Sequence, residues 1–182
     1  LTLAFGDWNQ KYRISIFLEG HGRESIFQEL DLSRTIGWFT STFPINLVID
    51  NPFQIESSIR QIKHTMQKIP NKGIGFGVLS YLRKDAVFPQ SLKLVCFNYL
   101  GQLDIFADEN NIFKIDKEFI KFTTHHDNKL IYPLHINASV KNHRFMVSFV
   151  YDKNCYSYDD VSSISKHFIN RLKIIIKESD RK

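Results

Sequence analysis

Two cysteines in 182 residues, Cys96 and Cys155, are too few for a disulfide framework. Each lies in or beside a strand-like run, so both read as buried free thiols and the compartment reads as cytoplasmic. No apolar run approaches the roughly 20 residues that a membrane span needs. The first residues show no basic segment leading into an apolar core, so no signal peptide is legible. The chain opens on Leu1 without a methionine and reads as a piece of a longer polypeptide. Nucleic-acid motifs are lacking too. The net charge is +5, yet lysines and arginines are scattered, with a small excess only after Arg171. Internal repeats and low-complexity tracts are missing. What is present, 182 residues with 43% apolar and 24% charged, describes an ordinary globular domain with a sizeable core, and the order of strand-like and helix-like stretches makes it one α/β unit over residues 1–182. Sixteen phenylalanines imply thick aromatic packing between a sheet and its helices.

The pattern along the chain supports that reading. Leu1 to Asp7 fits the tail of a helix. Arg13 to Leu18 sets Ile14 and Ile16 against Ser15 and Phe17, a buried strand. Asp31 to Gly37 reads as a loop, and Phe43 to Ile49 as a strand with Pro44 near its start. Asp50-Asn51-Pro52 resembles a helix start, after which Ile55, Ile59, Ile62, Met66 and Ile69 form one apolar stripe. Ser91 to Tyr99 is strand-like, with Asn98 and Tyr99 at its end before Gly101. Leu134, Ile136, Ala138 and Val140 alternate with polar residues, Asn142-His143 suits a tight turn, and Arg144 to Tyr151 returns as the partner strand. Ser157 or Asp159 can cap a last helix whose stripe is Val161, Ile164, Phe168, Leu172, Ile175 and Ile176.

Two stretches invite chemistry and fail its requirements. Asn71 to Gly77 is glycine-rich, but Val78-Leu79 follow where a phosphate loop needs Lys-Ser or Lys-Thr, and a helix precedes where a dinucleotide site needs a strand. The loop reads instead as a tight turn that lets the helix from Ile74 to Arg83 pack closely. His125-His126-Asp127 sits in a polar excursion from Gln102 to Lys129 and lacks a placed third ligand for a metal.

One short run gathers acid, imidazole and guanidinium between glycines: Glu19-Gly20-His21-Gly22-Arg23-Glu24. Taken alone, it fits a charged turn leaving a strand as well as a site where side chains reach a reacting group. Three further segments follow in order, Arg34-Thr-Ile-Gly-Trp-Phe-Thr-Ser-Thr-Phe-Pro44, Pro70-Asn-Lys-Gly-Ile-Gly-Phe-Gly77 and Phe97-Asn-Tyr-Leu-Gly101. Together they resemble the carboxy-terminal half of an epimerization domain of a nonribosomal peptide synthetase. That domain belongs to the condensation superfamily and is similar in fold to chloramphenicol acetyltransferase. The resemblance implies one lobe of that fold, a mixed sheet packed by helices. The departure is Phe76, where the family usually has tyrosine.

The resemblance also implies a chemistry. Such a domain interconverts L and D forms at Cα of an aminoacyl or peptidyl thioester, which hangs from the phosphopantetheine arm of a peptidyl carrier domain. Glu19 matches the family's catalytic glutamate, the acid/base, and Asn98 and Tyr99 match a motif that could orient the carbonyl or the oxyanion. His21 and Arg23 are expected to hold Glu19 by hydrogen bonds, and Trp38, Phe39 and Thr40 to line or brace a tunnel floor. The superfamily's His-His signature belongs to an amino-terminal lobe that this chain does not contain, so the chain alone is expected to be inactive. No directly bound cofactor or metal is implied. Carrier domain and amino-terminal lobe are the implied partners, and the mildly basic charge suits an acidic carrier. The rival readings are a condensation lobe forming peptide bonds and a non-catalytic carrier-docking lobe.

Overall fold

The computed structural model describes residues 1–24, 26, 29–83, 95–103 and 129–179. Its elements run α1 (Thr2–Asn9), β1 (Arg13–Gly20), β2 (Ser41–Val48), α2 (Ile55–Gln67), a 3-10 turn (Pro70–Gly73), α3 (Gly75–Tyr81), β3 (Val95–Gln102), β4 (Leu134–Lys141), β5 (Arg144–Tyr151) and α4 (Tyr158–Ser179). Among the described residues the strands form one five-stranded sheet in the order β2-β1-β3-β4-β5. The outer pairs β1–β2 and β4–β5 are antiparallel, while β1–β3 and β3–β4 are parallel. This is the α/β organisation that the strand and helix patterns imply, and the mixed sheet that the resemblance implies. Residues 91–94 of the expected third strand, most of the polar excursion and His125-His126-Asp127 lie outside the described residues.

Register divides the sheet into two chemically different faces. Ile16 pairs with Ile45, Val95 with Leu134, and Ile136 with Phe149. These residues turn one way and meet Phe5 of α1 and Ile164 of α4 in the main core. Ile16, Val95, Leu134, Ile136 and Ile164 are almost wholly buried, each contributing roughly 1.5–3 kcal/mol of transfer free energy. Phe17, Cys96 and Tyr132 turn the other way into a separate small cluster. α1 and α4 are also joined by a two-pronged ion pair, with Arg171 Nε donating to Asp7 Oδ2 at 2.6 Å and Arg171 Nη2 to Asp7 Oδ1 at 2.5 Å.

Local chemistry moves several boundaries. Asn51 accepts the Phe53 N–H in a turn of its own, so α2 begins at Ile55 rather than behind Asp50-Asn51-Pro52. Its buried positions are Ile55 and Ser58, with Ile62 half-buried, whereas Ile59 and Met66 are exposed. Ser58 can turn inward because its hydroxyl donates to the carbonyls of Asn51 and Gln54. Gly73 adopts φ 84, and a Cβ there would collide with the Phe43 ring, so close packing is real at this glycine. Gly75 and Gly77 face open space, against the expected close fit. β3 does not stop at Gly101 but continues to Gln102 through an irregularity after Tyr99. Pro44, which has no N–H to give, sits on the edge strand β2. Asn142 and His143 both have positive φ, 51 and 57, the geometry of a two-residue hairpin turn. Ser157 caps α4 in a reciprocal box with Asp160: each accepts the other's backbone N–H, at 3.1 and 3.0 Å. Ile176, expected in the α4 stripe, is exposed. Cys96 is buried as expected, whereas Cys155 is exposed.

Candidate functional site

The site is assembled by side-by-side parallel strands. β1, β3 and β4 are neighbours, and Phe17, Cys96 and His135 stand opposite one another in register. Two residues beyond Phe17 on the same face of β1 comes Glu19; two beyond Cys96 on β3 comes Asn98. The Asn98 amide donates from Nδ2 to Glu19 Oε2 at 2.7 Å. The Cys96 thiol approaches the other carboxylate oxygen, Oε1, at 3.7 Å. Glu19, Asn98 and His135 are half-buried and Cys96 is fully buried.

Tyr132 closes one side. Its ring lies 5.1 Å from Phe17 and 5.1 Å from His135, and its hydroxyl reaches Thr42 Oγ1 at 3.5 Å. Phe76 meets Phe17 edge-on at 5.9 Å. The floor under Glu19 is therefore aromatic, and the polar groups of Glu19, Cys96 and Asn98 turn toward one another above it.

Electrostatics follows from this burial. Desolvation, reinforced by the nearby Glu19 charge, pushes the Cys96 thiol up to about 12, so it remains a protonated donor at neutral pH. Burial pulls His135 below the usual imidazole range against the opposing pull of Glu19, which favours the neutral ring. Burial also raises the Tyr132 phenol, so it stays protonated.

The run after Glu19 does a different job from the expected one. His21 does not hold Glu19: its Nδ1 accepts the Arg23 N–H at 3.0 Å, and its Nε2 lies 3.2 Å from Glu24. Arg23 donates to the carbonyls of Leu32 at 2.8 Å and Gly37 at 3.2 Å, and its guanidinium lies 4.4 Å from the centre of the Phe39 ring. Arg23 therefore braces the loop carrying the Gly-Trp-Phe-Thr stretch, while His21 ties only to Arg23 and Glu24 within its own turn. Gly22 makes that approach possible, since a Cβ there would overlap the Phe39 carbonyl oxygen.

Of the expected site residues, the structure brings Glu19 and Asn98 together and leaves Tyr99 apart. Tyr99 pairs with Ala138, whose side chain belongs to the opposite face, and it is exposed. An amide-phenol pair converging on Glu19 from one strand is thus only half realised. Glu19 lies at the end of β1 as expected, whereas Asn98 lies midway along β3 rather than at its tip. Trp38 is 90% exposed and Thr40 is exposed, so neither forms a buried floor within this chain. Cys96 and His135 were not anticipated as neighbours of Glu19. The period of two from Asn98 back to Cys96 carried a signal; the His135 contact needed the β3–β4 pairing. An open apolar cleft of about 500 Å³ lies between Phe43, Pro44, Ile69, Phe76 and Leu79 and shares Phe76 with the cluster around Phe17.

Comparison with known proteins places the chain in a family. The condensation-domain family model matches residues 1–182, and the chain belongs to that family. A component of the linear gramicidin synthase of Brevibacillus parabrevis is 31% identical over 97% of this chain. Bacitracin synthase 3 of Bacillus licheniformis is 32% identical, again over 97%. The chain spans 4% and 3% of those two relatives' lengths. Among solved structures, the epimerization domain from the third module of tyrocidine synthetase B superposes with a TM-score of 0.84 at 29% identity. That match covers all of this chain and 41% of the other. The condensation domain from Monacolin K polyketide synthase shares the fold, with a TM-score of 0.62 at 15% identity over 94% of this chain and 38% of the other. The expected family and fold class therefore hold.

Proposed function

We propose that this chain is the carboxy-terminal lobe of a peptide synthetase epimerization domain, acting on an aminoacyl or peptidyl thioester carried on the phosphopantetheine of a carrier domain. The observation that carries the reading is the half-buried Glu19 carboxylate held by Asn98 at 2.7 Å on the sheet face that carries Phe17, Cys96 and Tyr132. Epimerization needs a base for the Cα proton and a donor that steadies the enolate oxygen. Glu19 Oε1 or Oε2 takes the proton. The Asn98 amide has two N–H bonds; one aligns the carboxylate, and the second can meet the developing oxyanion. Cys96 adds a protonated, neutral neighbour beside Oε1, which keeps the carboxylate in place without adding charge.

Return of the proton to the opposite face of a planar enolate requires a second group across the substrate. The amino-terminal lobe is the source of that group in this reading, and the loop braced by Arg23 offers exposed Ile36 and Trp38 for covering the substrate's other side. Tyr99 is given no direct part. Its position suits the rim of the lobe.

The condensation reading rests on the family model and is separated by product. A complete domain bearing this lobe, given a carrier-bound L-aminoacyl thioester, should release a mixture of L and D residues on hydrolysis. Amide formation with an acceptor thioester, and no D residue, would overturn the epimerase reading.

A further inference from the structure

The face beside Glu19 holds a second possibility that proton transfer does not use. Glu19, Cys96 and His135 each offer one ligand atom, and these atoms all lie within 4.8 Å of one another. A tetrahedral ion with bonds of about 2.0–2.3 Å needs its ligand atoms roughly 3.3–3.8 Å apart. The Cys96 Sγ to Glu19 Oε1 separation is already 3.7 Å, so closure asks for side-chain movement of about 1 Å and no change of strand. The three residues come from three adjacent strands whose register is fixed by the parallel ladder, so the donors are carried on rigid elements. The Tyr132 ring packs against His135 and fixes its orientation from one side.

We propose that Glu19, Cys96 and His135 form a binding site for a borderline divalent cation of the Zn2+ or Co2+ class, with its fourth position open. The donor set selects the metal: a thiolate and an imidazole disfavour Mg2+ and Ca2+, which want oxygen ligands throughout. Binding breaks the Cys96 S–H bond, forms the metal–sulfur bond and releases that proton to solvent, with no change of oxidation state. The imidazole enters as a neutral ligand and the carboxylate as an anion, so the site carries two negative charges against the cation's two positive ones. An ion seated there ties up Glu19. On the proposed function, on which this consequence rests, Zn2+ is then a reversible inhibitor of Cα proton exchange.

The test uses the untagged full-length polypeptide that carries this lobe, titrated with Co2+ alone and then with Zn2+. The expected result is a thiolate-to-cobalt charge-transfer absorption that saturates at one ion per lobe and is discharged by Zn2+. Cys96→Ser should abolish the band. His135→Asn and Glu19→Gln should weaken Co2+ binding about tenfold or more, and both substitutions spare the buried thiol should Cys96→Ser fail to fold. Cys155→Ser, at an exposed thiol well outside the cluster, should change nothing. Absence of the band in the unmodified protein, its survival in Cys96→Ser, or its loss in Cys155→Ser would overturn the site. A band that behaves as expected while Zn2+ leaves Cα exchange untouched supports the site and overturns the role given to Glu19.

Discussion

Asn98 and Gly22 show how differently single residues constrain this lobe. Asn98 donates to Glu19 at 2.7 Å and has no bulky packing role, so Asn98→Ala should leave the fold intact and lower turnover in the complete domain by roughly 10²-fold, mostly in kcat. Steady-state kinetics with a carrier-bound thioester checks this; an unchanged kcat contradicts it. Gly22 works through the backbone. Its φ of 67 and the close approach of the Phe39 carbonyl exclude any side chain, so Gly22→Ala should cost about 2 kcal/mol or more in urea unfolding. At this scale the sequence was informative where motifs carried the role. The meeting of Glu19 and Asn98 was expected from their motifs, and the close approach at Gly22 is in keeping with its place between charged residues. His135 was not legible, because only the parallel pairing of β3 with β4 sets it beside Cys96, and strand order across a long connection leaves no local signature.

Among the elements, the loop before β2 is held by one side chain. Arg23 reaches the carbonyls of Leu32 and Gly37 and covers Phe39, a fork geometry that an ammonium cannot reproduce. Arg23→Lys should therefore speed amide hydrogen exchange in residues 32–39 by roughly tenfold, equivalent to losing about 1–1.5 kcal/mol of local stability, while exchange in β4 stays slow. Equal protection in both proteins would remove the bracing role. Helix α2 shows where pattern reading slips. Counting apolar residues puts Ile59 and Met66 in its stripe, but Ser58 turns inward in their place because its hydroxyl is satisfied by the Asn51 and Gln54 carbonyls. Strands fared better: period-two alternation correctly separated Leu134, Ile136 and Ala138 from His135 and Asn137, since a sheet with one apolar face leaves little freedom of register.

Among the described residues, one face of the sheet is covered by α1 and α4, the other carries the Phe17, Cys96 and Tyr132 cluster beside Glu19 and Asn98, and the first and last helices are tied together. Arg171 hydrogen bonds hold the Asp7 carboxyl below the usual carboxylate range, against an opposing desolvation. A carboxylate with a depressed folded value stabilises above its unfolded value, near 3.9, and loses that contribution as pH falls through the folded one. Asp7→Asn should cost about 2–3 kcal/mol at pH 7 and flatten the loss of stability below about pH 4, read by thermal melts from neutral to acid pH. A parallel pH profile in wild type and variant would contradict the link. The same division of faces sets Glu19 and Asn98 on the side away from α1 and α4. The most direct measurement is deuterium entry at the thioester Cα in heavy water, comparing the complete domain with its Glu19→Gln variant under single-turnover conditions. Rapid exchange in the first and none above background in the second is the expected result. Equal exchange in both would show that the carboxylate on this sheet face does not move the proton.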